Sequence, residues 1–333
     1  RPANGATIAF DCPVAEWDRA CPDRIFRDEN VGPQLELQEN NRFGDGYEAS
    51  LDVYAGYVMF DGEIVDDFRV VVGPRLEASR QSLLAFDPGN RSPDQDRLSE
   101  LNSTEILPAL GVIYSPVPRA NIRASATRTV ARPQIREFAP FSYTDYFGGQ
   151  EVQGNDELVN TSIINTDLRF EFFPKTTEVV AVSAFYKRFA DPIEQVIEPG
   201  GTNGKVTYQN ADGANLFGVE LEGRKSFDIF HPVLRPLTLI ANVTFAHSRV
   251  NLDPAELGDS TSQSRPLSFQ APYIVNVALD LDEQTIGFRA RLGYNVVGER
   301  IYSVGKGGLP DVYEQPRHDL SATVGKRIGK HVE

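Results

Sequence analysis

Apolar and polar residues alternate along this chain with a period of two, in stretches of about 11 to 15 residues. The clearest run is Ile286, Phe288, Ala290, Leu292, Tyr294 and Val296. Others are Leu51, Val53, Ala55, Tyr57 and Met59; Phe217, Val219 and Leu221; Leu237, Leu239, Ala241, Val243 and Phe245; and Tyr273, Val275, Val277, Leu279 and Leu281. A period of two places each set on one face of a β-strand, and the spacing of an amphipathic helix is rare here. The positions between them carry Asp52, Arg69, Arg75, Glu77, Arg123, Asp167, Arg169, Glu171, Glu220, Glu222, Arg224, Arg289 and Arg291. Either a water-facing exterior or a wet lumen explains such a charged face.

Run length separates the two. Strands of water-soluble proteins average about 5–6 residues, whereas a strand crossing a bilayer needs about 9–11. About eleven runs of the longer kind are present. Their connections alternate in length. Short ones fall at Asp61, Gly62 and Glu63, at residues 115–118, 174–176 and 282–284, with a somewhat longer one near 228–236. Long ones fall near residues 81–103, 132–157, 191–212, 251–268 and 299–316. Outer-membrane barrels have short periplasmic turns and long extracellular loops, while a soluble sandwich has no reason to sort its loops in this way. Aromatic residues near strand ends, such as Tyr47, Phe60, Phe172, Phe227, Tyr273 and Tyr302, suit interfacial girdles. The expected fold is therefore all-β, an antiparallel transmembrane β-barrel; the competing reading is a large water-soluble all-β protein.

The net charge of −14 argues against nucleic acid as a partner. Acid gathers in the connections, for example in residues 87–100, where Asp87, Asp94 and Asp96 lack EF-hand spacing and read as a solvated loop. The four histidines, His231, His247, His318 and His331, are scattered without metal spacing, and no nucleophile elbow occurs. Residues 200–205 superficially resemble a phosphate loop, but Pro199 stands where its first glycine belongs; the segment reads as the tip of an outer loop. No catalytic, cofactor-binding or metal site is expected, and the chain is not read as an enzyme. The two cysteines, Cys12 and Cys21, are each followed by proline. A single disulfide in an oxidising compartment is the expectation, with two free thiols as the alternative.

Several segments resemble, in order, the C-terminal part of the β-barrel of TonB-dependent outer-membrane receptors. Residues 124–140 read ASATRTVARPQIREFAP, with an Arg-Pro pair entering an outer loop. Residues 160–172 read NTSIINTDLRFEF, residues 208–223 YQNADGANLFGVELEG, and residues 265–281 RPLSFQAPYIVNVALDL. The segments GYNVVGERIYSV and LPDVYEQPRHDL follow. The likeness runs over most of residues 48–330, and the order and spacing of the segments make it specific.

The resemblance implies about eleven strands of a 22-stranded barrel in the bacterial cell outer membrane. Residues 1–46 would then be an extracellular loop carrying the disulfide, and residues 47–333 the strands, periplasmic turns and outer loops. The plug domain and its TonB box are not expected in this chain, and the first and last strands are expected not to pair. The function implied is active import of a scarce, bulky nutrient, such as a ferric siderophore, cobalamin or a glycan. The expected partners are outer-membrane lipid, the TonB complex through the N-terminal plug, and a small-molecule or glycan ligand at the extracellular loops. A passive porin and a β-rich surface adhesin are the alternatives.

Overall fold

A computed structural model describes residues 43–92, 94–144, 150–199, 204–251, 262 and 264–328. Cys12, Cys21 and His331 lie outside the described residues. By internal contacts the chain divides into a small unit, Arg1–Tyr47 with Ala85–Asp96, and a large one, Glu48–Leu84 with Arg97–Glu333.

Within the small unit the Gly44 amide donates to the Phe86 carbonyl at 3.2 Å. The Asp87 carboxylate accepts from the amides of Gly89 and Asn90, at 2.8 and 3.3 Å. The Arg91 guanidinium lies 4.1 Å above the Phe86 ring. The acid at position 87 thus stabilises its own turn.

The large unit is built on a twelve-stranded sheet, eleven of whose strands form one path. In chain order they are β1 (Gly46–Tyr57), β3 (Phe68–Phe86), β4 (Arg97–Val117), β5 (Ala120–Ala131), β8 (Thr161–Phe172), β9 (Val179–Ala190), β12 (Gly213–Ser226), β13 (Leu237–Asn251), β14 (Tyr273–Glu283), β15 (Phe288–Val297) and β18 (Arg317–Lys326). Each strand of the path pairs with the next one along the chain, and from β4 onward every pair is antiparallel. β1 and β18 stand at opposite ends of the path. β3 and β4, at 19 and 21 residues, exceed what a bilayer crossing requires. No helix among the described residues is long and apolar enough to cross a membrane.

The register assigns the faces. Leu279 pairs with Leu292, Val277 with Tyr294 and Leu281 with Ala290. The alternate positions pair Asp280 with Arg291 and Asp282 with Arg289. Leu168, Phe170, Val180, Val182, Phe217, Val219, Leu221 and Leu292 are all exposed. An apolar face left open over this many strands is explained by lipid, not water.

The chain departs from the sequence reading chiefly in two places, and the connection expected over residues 81–103 also shortens to 87–96, because β3 runs to Phe86 and β4 begins at Arg97. Asp61, Gly62 and Glu63 are not a turn. They lie inside β2 (Phe60–Val65), which pairs with the start of β3, and the reversal falls at Asp66 and Asp67, where Asp67 has φ 65°. Aspartate tolerates that left-handed conformation better than most residues, which is why the turn forms there. The break between β1 and β2 sits opposite Gly73, where any side chain would collide with the Val58 carbonyl oxygen.

The second departure is larger, because three long connections are not irregular. They supply β6 (Ser142–Tyr143), β7 (Glu151–Gln153), β10 (Ile193–Glu198), β11 (Lys205–Asn210), β16 (Arg300–Gly305) and β17 (Val312–Glu314). These form a second sheet in the order β17-β16-β10-β11-β7-β6. Local hairpins contribute β10–β11 and β16–β17, whereas β10–β16 and β11–β7 are parallel pairs between different connections. Apolar burial holds it together: Val196, Ile301 and Val304 are essentially inaccessible. All its strands belong to the long connections, at the end of the barrel sheet opposite the short turns.

Candidate functional site

Most charges on the lumen face pair with one another, although the Arg224 side chain makes no hydrogen bond or ion pair among the described residues. Glu171 on β8 accepts from Arg123 and from Arg169, both at 2.9 Å. Arg169 also reaches across β9 to Glu222 at 2.5 Å. Nearer the long connections, Glu77 takes Arg75 and Arg132, both at 2.7 Å. Arg291 meets Asp280 at 3.5 Å, and Arg289 meets Asp282 at 3.4 Å. Pairing along the same strand and across neighbouring strands therefore accounts for these lumen charges. At the short-turn end Lys175 contacts Asp228, and Lys225 contacts Glu178, each at 2.6 Å. These cations hold the carboxyls of Asp228 and Glu178 below the usual range, Asp228 chiefly through Lys175 and Glu178 chiefly through Lys225.

Where the long connections meet the lumen face, a cavity of about 730 Å³ opens. Its aromatic lining is Phe189, Tyr208, Phe269 and Tyr302, and its polar lining includes Gln134, Glu137, Gln195 and Gln270. Phe269 and Tyr302 meet edge to face, with ring centroids 5.5 Å apart and planes at 80°. Phe269 has φ 61°, a left-handed conformation that a bulky residue seldom adopts. Its amide donates to the Ile301 carbonyl at 2.7 Å, which ties this backbone to β16. Strain of this kind persists only where the surroundings enforce it, and it concentrates at ligand sites.

A buried framework fixes the cavity. Glu194 on β10 receives two hydrogen bonds of 2.7 Å from Arg265, and Arg265 and Glu194 side chains are 3% and 1% exposed. The Ser268 amide and hydroxyl donate to the same carboxylate at 3.2 and 3.0 Å. The Gln195 amide donates to Ser303 Oγ at 2.6 Å, joining β10 to β16. On another side, Phe138, Ala139, Phe141 and Leu158 form an apolar support. Gly154 lies against it so closely that a side chain would strike the carbonyl oxygens of Ala139 and Arg136. The Asn155 amide donates to the Glu137 carbonyl at 2.7 Å. Burial pushes the Glu137 carboxyl up, opposed by the Gln134 amide that donates to it at 2.8 Å. Burial likewise pushes the Tyr208 phenol up, with Tyr143 as the next contributor.

Cations near the cavity are occupied. Arg132 is spent on Glu77, and Arg300 donates to Glu314 at 2.6 Å. The arrangement suits binding and enclosure of a ligand by aromatic faces and amide groups. Sequence alone did not single out Glu137, Tyr208, Phe269 or Tyr302 as a set, because four separate segments bring them together. The only sequence signal was the Arg132-Pro133 pair at a loop entrance.

The other sequence candidates fall elsewhere. Gly204, at φ +77°, lies in the β10–β11 connection, and residues 200–203 are outside the described residues. His231 caps a short 3-10 turn by accepting from the Val233 amide, His247 packs on Phe217 at 5.3 Å, and His318 meets the Tyr294 hydroxyl at 2.7 Å. No cluster of metal-ligating side chains occurs among the described residues.

A long antiparallel sheet with an apolar outer face, a charged inner face and connections sorted by length is the wall of a transmembrane β-barrel. Residues 16–333 match the family described as TonB dependent receptor-like, beta-barrel, and the chain belongs to that family. It is a protein of the bacterial outer membrane, in a family of transport receptors and not of enzymes.

Among its relatives is the iron-regulated outer membrane virulence protein of Vibrio cholerae, 22% identical over 232 residues. That alignment covers 67% of this chain and 31% of the relative. The ferric-catecholate import receptor Fiu from E. coli superposes with a TM-score of 0.59 at 12% identity, covering 85% of this chain and 39% of that one. The copper transporter OprC gives 0.60 at 14% identity, covering 85% and 40%. The chain therefore spans about a third of the length of the curated relatives it matches, and about two-fifths of these solved receptors.

Proposed function

We propose that this chain is part of the barrel wall of a receptor that imports a scarce, bulky nutrient across the outer membrane using energy delivered through TonB. The observation that carries this reading is the open, aromatic-lined cavity where the second sheet meets the barrel strands, on the side of the long connections. A passive pore gains nothing from an aromatic-lined, partly strained cavity at its outer mouth. Ligand would be held there and by the plug, and contact of the plug with TonB would have to weaken the bound state for release to follow. A ferric siderophore is the first cargo to test, because the relatives' names refer to iron regulation and ferric-chelate import; cobalamin and a glycan follow. Cys12 and Cys21 are proposed to form a disulfide in the preceding extracellular segment, which mass spectrometry of unreduced peptides would test.

The test is uptake of radiolabelled ferric siderophores by cells carrying the full-length receptor, with and without functional TonB. Uptake that requires both is expected. Uptake that persists without TonB and without a proton-motive force would place the protein among passive porins. Surface attachment with no uptake of any of the three cargo classes would favour an adhesin.

A further inference from the structure

The lipid-facing wall carries a basic row at the margin nearest the long connections. Register places Arg128, Ile164, Arg188, Asn215 and Arg249 side by side across β5, β8, β9, β12 and β13. Each arginine lies within three residues of the point where its strand enters a long connection. Arg188 shares the parity of the exposed Val180, Val182 and Tyr186, and Arg249 that of the exposed Phe245. These side chains therefore leave the wall on the lipid side.

Their partners set two of them apart. Arg128 is engaged by Glu105 and by Ser162 Oγ, both at 2.9 Å. The side chains of Arg188 and Arg249 make no hydrogen bond or ion pair among the described residues, in contrast to those of the lumen-facing Arg123, Arg169 and Arg291. Between the two stands Asn215, whose Oδ1 accepts the Tyr186 hydroxyl at 2.6 Å. That bond leaves the Nδ2 donors of Asn215 for another ligand. The row contains no carboxylate, although the chain as a whole carries −14.

We propose that Arg188, Asn215 and Arg249 bind the phosphate of a phosphorylated lipid headgroup in the outer leaflet. A cation on the lipid face of a barrel is costly at the bilayer midplane and nearly free at the interface, so its position marks the headgroup level. The next row inward is Thr166, Tyr186, Phe217 and His247, and the one after it includes Leu168, Val219 and Phe245. Aromatic and then aliphatic residues suit the acyl boundary beneath a headgroup. Strands about 4.8 Å apart put Arg188 and Arg249 roughly 10 Å from each other, with Asn215 in the gap. Two planar guanidinium groups at that spacing can grip one phosphate from both sides or two phosphates of one headgroup, in the bidentate geometry arginine favours.

The full-length receptor, purified in a non-ionic detergent, is titrated with bisphosphorylated lipid A and with the same lipid stripped of phosphate, and bound lipid is read by native mass spectrometry. The Arg188→Gln/Arg249→Gln variant should lose binding of the phosphorylated lipid by about tenfold or more, the size of one lost charge-assisted hydrogen bond. Wild type should hold the dephosphorylated lipid no better than the variant does. The single variants Arg188→Gln and Arg249→Gln give the same reading if the double variant does not insert. The lumen variant Arg224→Gln should bind as wild type. Equal binding of both lipids, or unchanged binding in the folded variants, would overturn the site. Competition by millimolar inorganic phosphate as effective as by lipid A would overturn the lipid assignment.

Discussion

Leu292 and Arg291 are adjacent in sequence and face different solvents. Leu292 is 51% exposed beside Leu279, on the lipid side, while Arg291 turns inward to Asp280. The inner charge is neutralised by its neighbour strand, and the outer side chain is stabilised only by hydrocarbon. Replacing Leu292 by Arg should cost about 2–4 kcal/mol if it lies near the midplane. Denaturant unfolding of the full-length receptor in lipid vesicles measures it. With Leu292→Cys and Arg291→Cys, a membrane-impermeant maleimide should label only the inward position. Equal aqueous labelling of both would contradict the assignment of faces. Glu137 gives a second reading at this scale. Its carboxyl is raised above the ordinary 4.5 by burial. The charged form is therefore penalised in the folded state, so the local structure loses stability as pH rises from that value and gains it as pH falls. Protection factors of the Glu137 and Asn155 amides, corrected for the intrinsic pH dependence of exchange, should rise on going from neutral to mildly acidic pH, and Glu137→Gln should remove that rise.

Elements were legible to different degrees, for physical reasons. The barrel strands declare themselves because one face must match lipid and the other water along their whole length, which writes period two into the sequence. The strands of the second sheet are three to six residues long where they are not shorter, and their partners lie in other connections. Runs that short leave little periodicity, and parallel pairing between separate loops leaves no turn signature. The turn expected at Asp61, Gly62 and Glu63 failed for a related reason. Its composition suits a turn, but those residues are paired strand in β2, and the true reversal uses Asp67. The cavity was illegible because its lining residues are ordinary aromatics and amides until the second sheet gathers them. That sheet depends on Glu194 and Arg265. Arg265 Nε already lacks a hydrogen-bond partner among the described residues, so its guanidinium relies on Glu194. Glu194→Gln should cost about 3–5 kcal/mol, the cost of leaving a buried charge unpaired. The loss should appear as faster amide exchange in β10, β11 and β16, with β12–β15 unchanged. Equal loosening of the barrel strands would show that the second sheet is no separate cooperative unit.

For the molecule as a whole, the decisive feature is that β1 and β18 end the path without pairing to each other among the described residues. β18 is exposed along all ten of its residues. Among the described residues each edge presents unpaired backbone amides and carbonyls, and in hydrocarbon each such group costs several kcal/mol, which is why spanning sheets close. Pairing β1 with β18 directly would close a narrow barrel of eleven strands, an odd number that joins two strands running the same way and breaks the antiparallel order. The longer relatives, of which this chain spans 31% to 40%, offer the other solution, in which further strands complete the ring. The 333-residue stretch refolded alone in detergent should therefore fail to give the heat-resistant, compact species on denaturing gels that closed barrels give. The full-length receptor should give it. Paired cysteines at Ala55 and Val324 should not cross-link in the full-length protein, because the proposal places other strands between β1 and β18. A heat-resistant species from the stretch alone, together with efficient cross-linking of that pair, would mean that these eleven strands close on themselves, and the proposal of a wall shared with further strands would fall.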